Sequence, residues 1–407
     1  MTTSLRVGVF GLLGSGNLGN DGSLEAVLGY LRAEHPDAVV DALCGGPESV
    51  TARFGIPATR MHWNRAEYRT ASRAGAVAAK GAGKIVDAFR TAAWVRRHDV
   101  VIVPGMGVLE ATLPLRPWGF PYALFLLCAS GRLLRTRVAL VGVGAAPIRN
   151  RPTRALVRWS ARLAAYRSYR DTQSRDAMRA MGVDTARDEV YPDLAFALPT
   201  PPPVEPAGIV CVGVMDFHGS NDDRARSEEI YRRYLDATIR FVRTLAEEGR
   251  PVRLLTGDRC DEAVVAAILD AVDSPLVTAA QPASLADLMK EMAAADSVVA
   301  VRYHNLICAL KTGTPVLALS YAAKSDALME RMGLGAYVHP AREADADRLL
   351  EQFRALEKHS AELRRILAER NETAAQQLAV QFAELTATLF TTGDLTRARN
   401  RARQESP

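Results

Sequence analysis

The 407-residue chain has few cysteines and few aromatic residues, and it has no long apolar run. Its cysteines form no Cys-x-x-Cys pair, which excludes a zinc ribbon or a disulfide framework, and most lie in apolar runs, where buried thiols are common: Cys44, Cys128, Cys211, Cys260 and Cys308. The longest apolar run, residues 122–129, is far shorter than the roughly 18–20 residues that a membrane span needs.

The N-terminal residues also lack the pattern of an export signal, which is a basic segment followed by an apolar stretch and a cleavage site. No cluster of carboxylates indicates a metal. We therefore expect a cytoplasmic protein with no bound metal or cofactor and no nucleic-acid partner. The sequence does not define the oligomeric state.

Hydrophobic residues make up 48% of the chain and charged residues 24%, which is enough apolar material for more than one core. The charge is uneven, because residues 1–200 hold 26 Lys or Arg against 16 Asp or Glu, and the remainder holds 25 against 30. Two interpretations stay open: an anionic partner meets the first half, or arginine is simply abundant in this proteome.

Short β-rich runs alternate with longer helical runs along the whole chain, which predicts an α/β protein with parallel sheets. A proline-rich segment at residues 199–206 interrupts the alternation and predicts an extended linker. We therefore expect two Rossmann-like domains facing a cleft. Their predicted bounds are 1–200 on the N-terminal side and 201–370 on the C-terminal side. A C-terminal helix at 371–392, packing back on the first domain after a break near 370–373, and a disordered tail at 393–407 complete the prediction.

Glycine-rich turns follow the predicted first strand and two later strands, at the strand ends where doubly wound sheets bind ligands. The first turn contains Gly14, Gly16, Asn17, Gly19 and Asp21, and the second contains Gly105 and Gly107. The first turn matches neither a Walker loop nor a clean dinucleotide fingerprint. A substrate-binding loop, a purely structural turn and a dinucleotide site stay open, and we favour the substrate-binding loop.

Cationic residues follow two strands of the second half. Arg302 and His304 combine an anion-binding fork of donors with a group that titrates near neutral pH, at the start of a predicted helix. Lys324 and Tyr321 follow the next strand. The alternatives are a surface arginine, a capping histidine and an exposed lysine. Arg170 is a further candidate, for a phosphate contact or for a salt bridge at the domain edge.

Six short motifs occur in an order and spacing that resemble the polysaccharide pyruvyl transferase family, over residues 5 to about 335. They are Gly16-Asn17-Leu18-Gly19, Arg170-Asp171, Pro192-Asp193, Arg302-x-His304, Gly313-x-Pro315 and Tyr321-x-x-Lys324. The resemblance implies a fold like that of the GT-B glycosyltransferases. It also implies transfer of the enolpyruvyl-derived group of phosphoenolpyruvate onto sugar hydroxyls, with release of phosphate, in polysaccharide biosynthesis of the cell envelope.

The resemblance further implies roles for individual residues. His304 is the expected catalytic acid, and the expected donor-binding residues are Arg302, Lys324, Tyr321 and Arg170. The acceptor, a sugar, a sugar nucleotide or a lipid-linked glycan, is expected at the two glycine turns, through Gly14, Gly16, Asn17, Gly19, Asp21, Gly105 and Gly107. A lipid-linked acceptor leaves peripheral association with a membrane surface open, and the sequence does not distinguish a ketal from an enol ether product.

The chain departs from the family pattern at two places. Family members commonly carry Gly-Asp-Glu-Ala where this chain has Gly19-Asn20-Asp21-Gly22, and a basic residue is common near Met215, where this chain has none before His218. Two alternatives therefore stay open: a GT-B glycosyltransferase that uses a nucleotide sugar, and a non-catalytic relative that binds a glycan or a partner enzyme.

Overall fold

The computed structural model describes residues 4–63, 73–110 and 117–390. The predicted tail at 393–407 lies outside these ranges. The chain divides into two units: residues 1–15, 23–194 and 377–407 form the first, and residues 16–22 and 195–376 form the second. Each unit is an α/β domain with one parallel sheet, as predicted.

The described part of the first unit contains a seven-stranded parallel sheet in the order β3-β2-β1-β4-β5-β6-β7. Its strands are β1 (Arg6–Gly11), β2 (Val39–Cys44), β3 (Ala58–Arg60), β4 (Val100–Pro104), β5 (Arg137–Val143), β6 (Tyr166–Tyr169) and β7 (Glu189–Val190). Every residue of β4 is buried, as expected for a parallel strand with helices on both faces of its sheet.

Helices cover both faces of this first sheet. They are α1 (Leu18–Glu34), α2 (Pro47–Phe54), α3 (Arg73–Val95), α4 (Phe120–Leu134), α5 (Arg151–Leu163) and α6 (Thr172–Ala180). The connections from β3 to β6 all advance in one direction across the sheet, whereas the connection from β1 to β2 runs in the other direction. Because parallel crossovers are right-handed, α3, α4 and α5 lie on one face of the sheet and α1 lies on the opposite face.

The second unit repeats the architecture with a six-stranded parallel sheet in the order β10-β9-β8-β11-β12-β13, within the described residues. Its strands are β8 (Ile209–Gly213), β9 (Val252–Leu255), β10 (Val277–Ala280), β11 (Ala295–Ala300), β12 (Val316–Ser320) and β13 (Val338–Pro340). Its helices are α7 (Ser227–Glu247), α8 (Glu262–Val272), α9 (Leu285–Ala293), α10 (Tyr303–Lys311), α11 (Ala323–Arg331) and α12 (Ala346–Lys358).

The last described helix, α13 (Ser360–Leu389), begins directly after α12 and continues without interruption. The predicted break near residues 370–373 is therefore wrong, and the helical stretch is interrupted at His359 instead. Asn371 stays helical because its side chain donates to the carbonyls of Leu310 and Lys311 at the end of α10 (2.9 and 3.1 Å). The helix contributes its residues up to Gln376 to the second unit and the later residues to the first.

The C-terminal part of α13 packs within the first unit. The ring of Phe382 stacks on Tyr30 of α1, with 4.8 Å between centroids, and Tyr191 donates to Glu384 (2.6 Å). Buried Gln381 donates to Ser168 in β6 (2.8 Å). No helix in the described ranges is long and apolar enough to cross a membrane.

Candidate functional site

The loop around Asn17 is built into the second unit, although it directly follows β1 of the first. The side-chain oxygen of Asn17 accepts hydrogen bonds from the backbone N–H groups of Gly19 and Asn20 (3.1 and 3.2 Å), which caps the start of α1. Its Nδ2 donates to Oδ2 of Asp258 (3.0 Å), and the N–H of Leu18 donates to the carbonyl of Gly257 (3.4 Å). These bonds join the glycine loop to the residues that follow β9.

The imidazole ring of His304 lies directly against the backbone of Gly19. A Cβ at Gly19 would collide with Nδ1 of His304, so the close approach requires glycine at this position. His304 is half-buried in the first turn of α10 and meets the ring of Tyr303 edge to face, at 5.5 Å between centroids. The Asn-x-Gly loop and the Arg-x-His motif, 285 positions apart in sequence, therefore meet within one unit.

Arg302 forms a two-point ion pair with Asp261. Its Nε donates to Oδ2 of Asp261 (3.0 Å) and its Nη2 to Oδ1 (2.6 Å), while Nη2 also lies 3.0 Å from Sγ of Cys260. Burial disfavours the charged guanidinium, but the hydrogen bonds and the charge of Asp261 outweigh burial and raise the pKa of Arg302 above its ordinary value. Arg302 is therefore a fixed positive charge.

Asp261 is the centre of this network and was not a candidate from the sequence. It is fully buried and accepts hydrogen bonds from the backbone N–H groups of Asp216 (3.0 Å), Gly257 (3.2 Å) and Asp258 (3.0 Å), in addition to those from Arg302. The available signal was local: Asp258 and Asp261 have the spacing of a capping box directly after a buried strand.

Asn305 is a second residue that the sequence analysis missed. It is fully buried at the ends of β8 and β9, where a Cβ on Gly213 would lie 2.5 Å from its Nδ2 and a Cβ on Gly257 would lie 2.7 Å from its Oδ1. Within the described ranges neither amide atom has a hydrogen-bond partner. An unsatisfied buried amide costs about 1–3 kcal/mol, which is a cost that functional sites often carry.

Lys324 and Tyr321 lie beside the same strand ends. Strand β12 pairs with β11, so the turns that follow these two strands are neighbours at one edge of the sheet. The Nζ of Lys324 is 5.7 Å from the ring centroid of Tyr303 and 5.8 Å from that of Tyr321, both within the range of cation–π attraction. Two cations and one histidine are thus gathered at the carboxyl ends of β11 and β12.

The comparisons with known proteins identify the family of the chain. The family model described as "Polysaccharide pyruvyl transferase" matches residues 17–322, which is most of the chain. Of the six motifs, only the first position, Gly16, and the last, Lys324, lie outside these residues. The chain belongs to the polysaccharide pyruvyl transferase family. It is accordingly a transferase, and the family places it in polysaccharide biosynthesis.

Solved structures of sugar-nucleotide enzymes share the fold. A UDP-GlcNAc 2-epimerase from Neisseria meningitidis bound to UDP-GlcNAc is 12% identical, with a TM-score of 0.61, over 95% of this chain and 99% of that one. Anabaena Alr3699/HepE in complex with UDP-glucose is 13% identical, with a TM-score of 0.56, over 95% and 99%. At this identity the likeness shows the fold alone, which confirms the predicted GT-B-like class of two Rossmann-like domains. No curated protein sequence matches the chain at a significant level.

The predicted acceptor residues of this pyruvyl transferase family member divide between the two units. Gly16, Asn17, Gly19 and Asp21 group with the second unit, and Asp21 is buried in the first turn of α1. Gly14, Gly105 and Gly107 group with the first: Gly14 lies against Gly46, Gly105 against Ser23 and Gly107 against Glu110. The whole first loop was expected in the N-terminal domain. The observed division differs because Asn17 and Leu18 bond to the turn after β9.

Arg170 also groups with the first unit, whereas Arg302, Tyr321 and Lys324 belong to the second. Its buried guanidinium lies 2.7 Å from Glu110, 3.5 Å from Asp193 and 3.6 Å from Asp171. The Arg170-Asp171 and Pro192-Asp193 motifs are therefore parts of one buried charge network. Donor binding by Arg170 stays a prediction.

The departure near Met215 lies at the end of β8. His218 pairs with Asp216 (2.9 Å) and stacks on Tyr231 at 4.5 Å, while the N–H of Met215 donates to the hydroxyl of Tyr234 (3.1 Å). Among the described residues no group of three or more His, Cys, Asp or Glu side chains is placed to hold a metal ion.

Proposed function

We propose that the protein transfers the enolpyruvyl-derived group of phosphoenolpyruvate onto hydroxyls of a sugar or glycan acceptor and forms a pyruvate ketal. The observation that carries the proposal is the approach of His304 to the Gly19 backbone, within the unit that also holds Arg302 and Lys324. One proton donor and two cations match a small, highly charged donor that must be protonated at carbon.

The donor is assigned to the carboxyl ends of β11 and β12. Phosphoenolpyruvate carries a carboxylate and a phosphate, and Lys324 and Arg302 each meet one of them. Since Nε and Nη2 of Arg302 bind Asp261, we assign Nη1 to the donor. Tyr321, beside Lys324, forms a wall of the donor site. Fixed cations of this kind stabilise the charge that develops on a departing phosphate.

His304 is assigned as the general acid. It protonates the methylene carbon of phosphoenolpyruvate, so that C2 becomes electrophilic and is attacked by an acceptor hydroxyl. Loss of phosphate and attack by a second hydroxyl of the same sugar close the ketal. Of the two protons that the hydroxyls lose, one leaves with phosphate and the other restores the protonated His304, so the reaction balances.

The acceptor is assigned to the Asn17–Gly19 loop together with Gly16 and Asp21, all in the second unit. Acceptor binding by Gly14, Gly105 and Gly107 of the first unit stays a prediction from the sequence. A sugar nucleotide is the acceptor class that the structural comparisons favour, since the structures reported above contain UDP-GlcNAc and UDP-glucose. A lipid-linked glycan has the same chemistry at the reacting hydroxyls.

Phosphate release from phosphoenolpyruvate in the presence of candidate acceptors tests the proposal. His304→Ala should lower kcat by about a hundredfold or more if His304 is the acid. His359→Ala, which changes an exposed histidine of the same unit, is the matched control and should retain full activity. An unchanged rate in His304→Ala contradicts the assignment of the acid.

A GT-B glycosyltransferase that uses a nucleotide sugar is the alternative, and the UDP-bound structures of like fold are the observation that favours it. It predicts turnover of a UDP- or GDP-sugar without phosphoenolpyruvate. Thermal stabilisation by phosphoenolpyruvate, combined with acceptor-dependent phosphate release, contradicts this alternative.

A further inference from the structure

Large apolar side chains face solvent on three helices of the first unit. Ile85 and Phe89 of α3 are 62% and 73% exposed, Leu133 of α4 is 82% exposed and Trp159 of α5 is 53% exposed, while Trp118, just before α4, is 63% exposed. Single exposed apolar residues are ordinary, but five large ones on neighbouring elements indicate an interaction site.

These residues lie in one layer, which we call the α3–α5 face and define by Ile85, Phe89, Trp118, Leu133 and Trp159. The three helices lie on the same face of the sheet, and α4 packs against both α3 and α5. A side-chain contact joins α3 to α4, since Nζ of Lys84 lies 5.7 Å from the centroid of the Tyr122 ring. Trp118, just before α4, meets the same ring edge to face at 5.8 Å.

The outward side of α4 is itself apolar along its length. Residues at spacings of three and four share one side of a helix, and on α4 these positions are partly or fully exposed: Tyr122, Phe125, Leu126, Ala129 and Leu133. A surface helix normally carries polar residues there. The α3–α5 face is thus continuous across its middle helix.

The segment that contains the three helices carries mostly positive charge. Residues 73–163 contain fifteen Lys or Arg and three Asp or Glu, and the three acidic residues, Asp87, Asp99 and Glu110, are all buried. Exposed arginines stand on the same helices, with Arg132 beside Leu133 on α4, and with Arg151 and Arg162 on the side of α5 that carries Trp159. Exposed apolar side chains with arginines on the same helices match the surface of an anionic bilayer.

We propose that the α3–α5 face binds the surface of an anionic lipid bilayer, with its aromatic and aliphatic side chains at the level of the headgroups and its arginines on lipid phosphates. A second copy of the chain is a poorer occupant, because it would bring the same excess of positive charge against itself. The proposal stands on the first unit and does not depend on the donor chemistry.

Vesicle co-sedimentation of the full chain tests the proposal. Wild-type protein should sediment with phosphatidylcholine vesicles that contain phosphatidylglycerol, and less with pure phosphatidylcholine. Because Trp118 and Trp159 lie on the face, tryptophan emission should shift to the blue on binding. The double variant Phe89→Ser/Leu133→Ser should lower the partition coefficient by roughly tenfold or more, as should Arg132→Glu/Arg151→Glu.

Val380→Ser is the matched control, since Val380 is 60% exposed on α13, whose C-terminal part packs against α1 on the opposite side of the sheet. Circular dichroism verifies that each variant folds. If the double variant does not fold, the single variants Phe89→Ser and Leu133→Ser are used in its place. Three results overturn the proposal: no sedimentation of wild type with anionic vesicles, equal sedimentation of folded face variants, or a dimer in sedimentation velocity that Phe89→Ser dissociates. The last result assigns the face to a second copy.

Discussion

The Asp261–Arg302 pair gives the sharpest prediction about the site. Asp261 is fully buried and accepts two hydrogen bonds from Arg302 and three from backbone N–H groups. Asp261→Asn keeps the shape of the side chain but removes its charge and turns one acceptor into a donor. Arg302 then keeps a positive charge, with 19% of its side chain exposed, and has no counter-ion at this position.

The expected loss follows from the burial of the pair. Removing one partner of a buried ion pair costs about 3–5 kcal/mol, and the bonds to the N–H groups of Asp216, Gly257 and Asp258 weaken as well. We expect the free energy of unfolding of the second unit to fall by about 3 kcal/mol or more. Because Arg302 is no longer held in place, KM for phosphoenolpyruvate should rise by roughly tenfold or more. The decrease in kcat should be smaller, since the proposed acid, His304, is unchanged.

Urea unfolding followed by far-UV circular dichroism is the appropriate assay for stability, because all four tryptophans, Trp63, Trp94, Trp118 and Trp159, belong to the first unit. Asp270→Asn is the matched control. Asp270 is an exposed carboxylate on α8, the helix that begins directly after Asp261. An Asp261→Asn protein that unfolds like wild type refutes the energetic reasoning. A destabilised protein with an unchanged KM for phosphoenolpyruvate refutes the positioning role and leaves a purely structural one.

Three further predictions concern the loop, the pH dependence and the salt dependence. Gly19→Ala places a methyl group against His304 and should lower kcat by about a hundredfold, whereas Gly29→Ala, on an open position of the same helix, should stabilise the protein by up to about 1 kcal/mol; equal activity of the two variants contradicts the close approach. Burial lowers the pKa of His339 below 6.5, against a weaker opposing effect of its bond to Gln352, and its Nε2 accepts from the N–H of Asp345. The unfolded state therefore binds the proton more tightly, so stability should fall as the pH falls below 6.5, and His339→Gln should flatten that slope in urea titrations. If the basic first half binds an anionic acceptor, KM for the acceptor should rise with NaCl more steeply than KM for phosphoenolpyruvate. Equal slopes would mean that the uneven charge reflects only an arginine-rich proteome.

The sequence predicted the elements that carry their own pattern. Strands such as β4 and β9 are fully or largely apolar, which is the pattern by which a sequence identifies a buried parallel strand. The two-residue β7 and the three-residue β3 and β13 were not predicted, because so short a run at the edge of a sheet has no periodicity to detect. The break in the C-terminal helices was misplaced because the bonds that keep Asn371 helical come from α10, about sixty positions away.

In the site, as in the fold, residues with a local sequence pattern were predicted and residues that depend on distant partners were not. Arg302, His304 and Lys324 were identifiable because a functional group interrupts an apolar run just after a strand. Asp261 and Asn305 were missed because their importance depends on partners from other strands, which the topology brings together. The assignment of Asn17 to the second unit could not be read from its neighbours, since the partner, Asp258, lies 241 positions later.

That separation has a consequence for synthesis of the chain. Residues 16–22 are made among the first, yet they complete a unit whose other residues begin at Ala195. At ribosomal speeds of about 5–20 residues per second, Asn17 waits on the order of tens of seconds before Asp258 exists. During that wait the first sheet can assemble, while the loop lacks its contacts with the residues that follow β9. Genetic fusion or splitting at the proline linker meets the same problem, because a C-terminal fragment that starts at residue 201 has left part of its own unit behind.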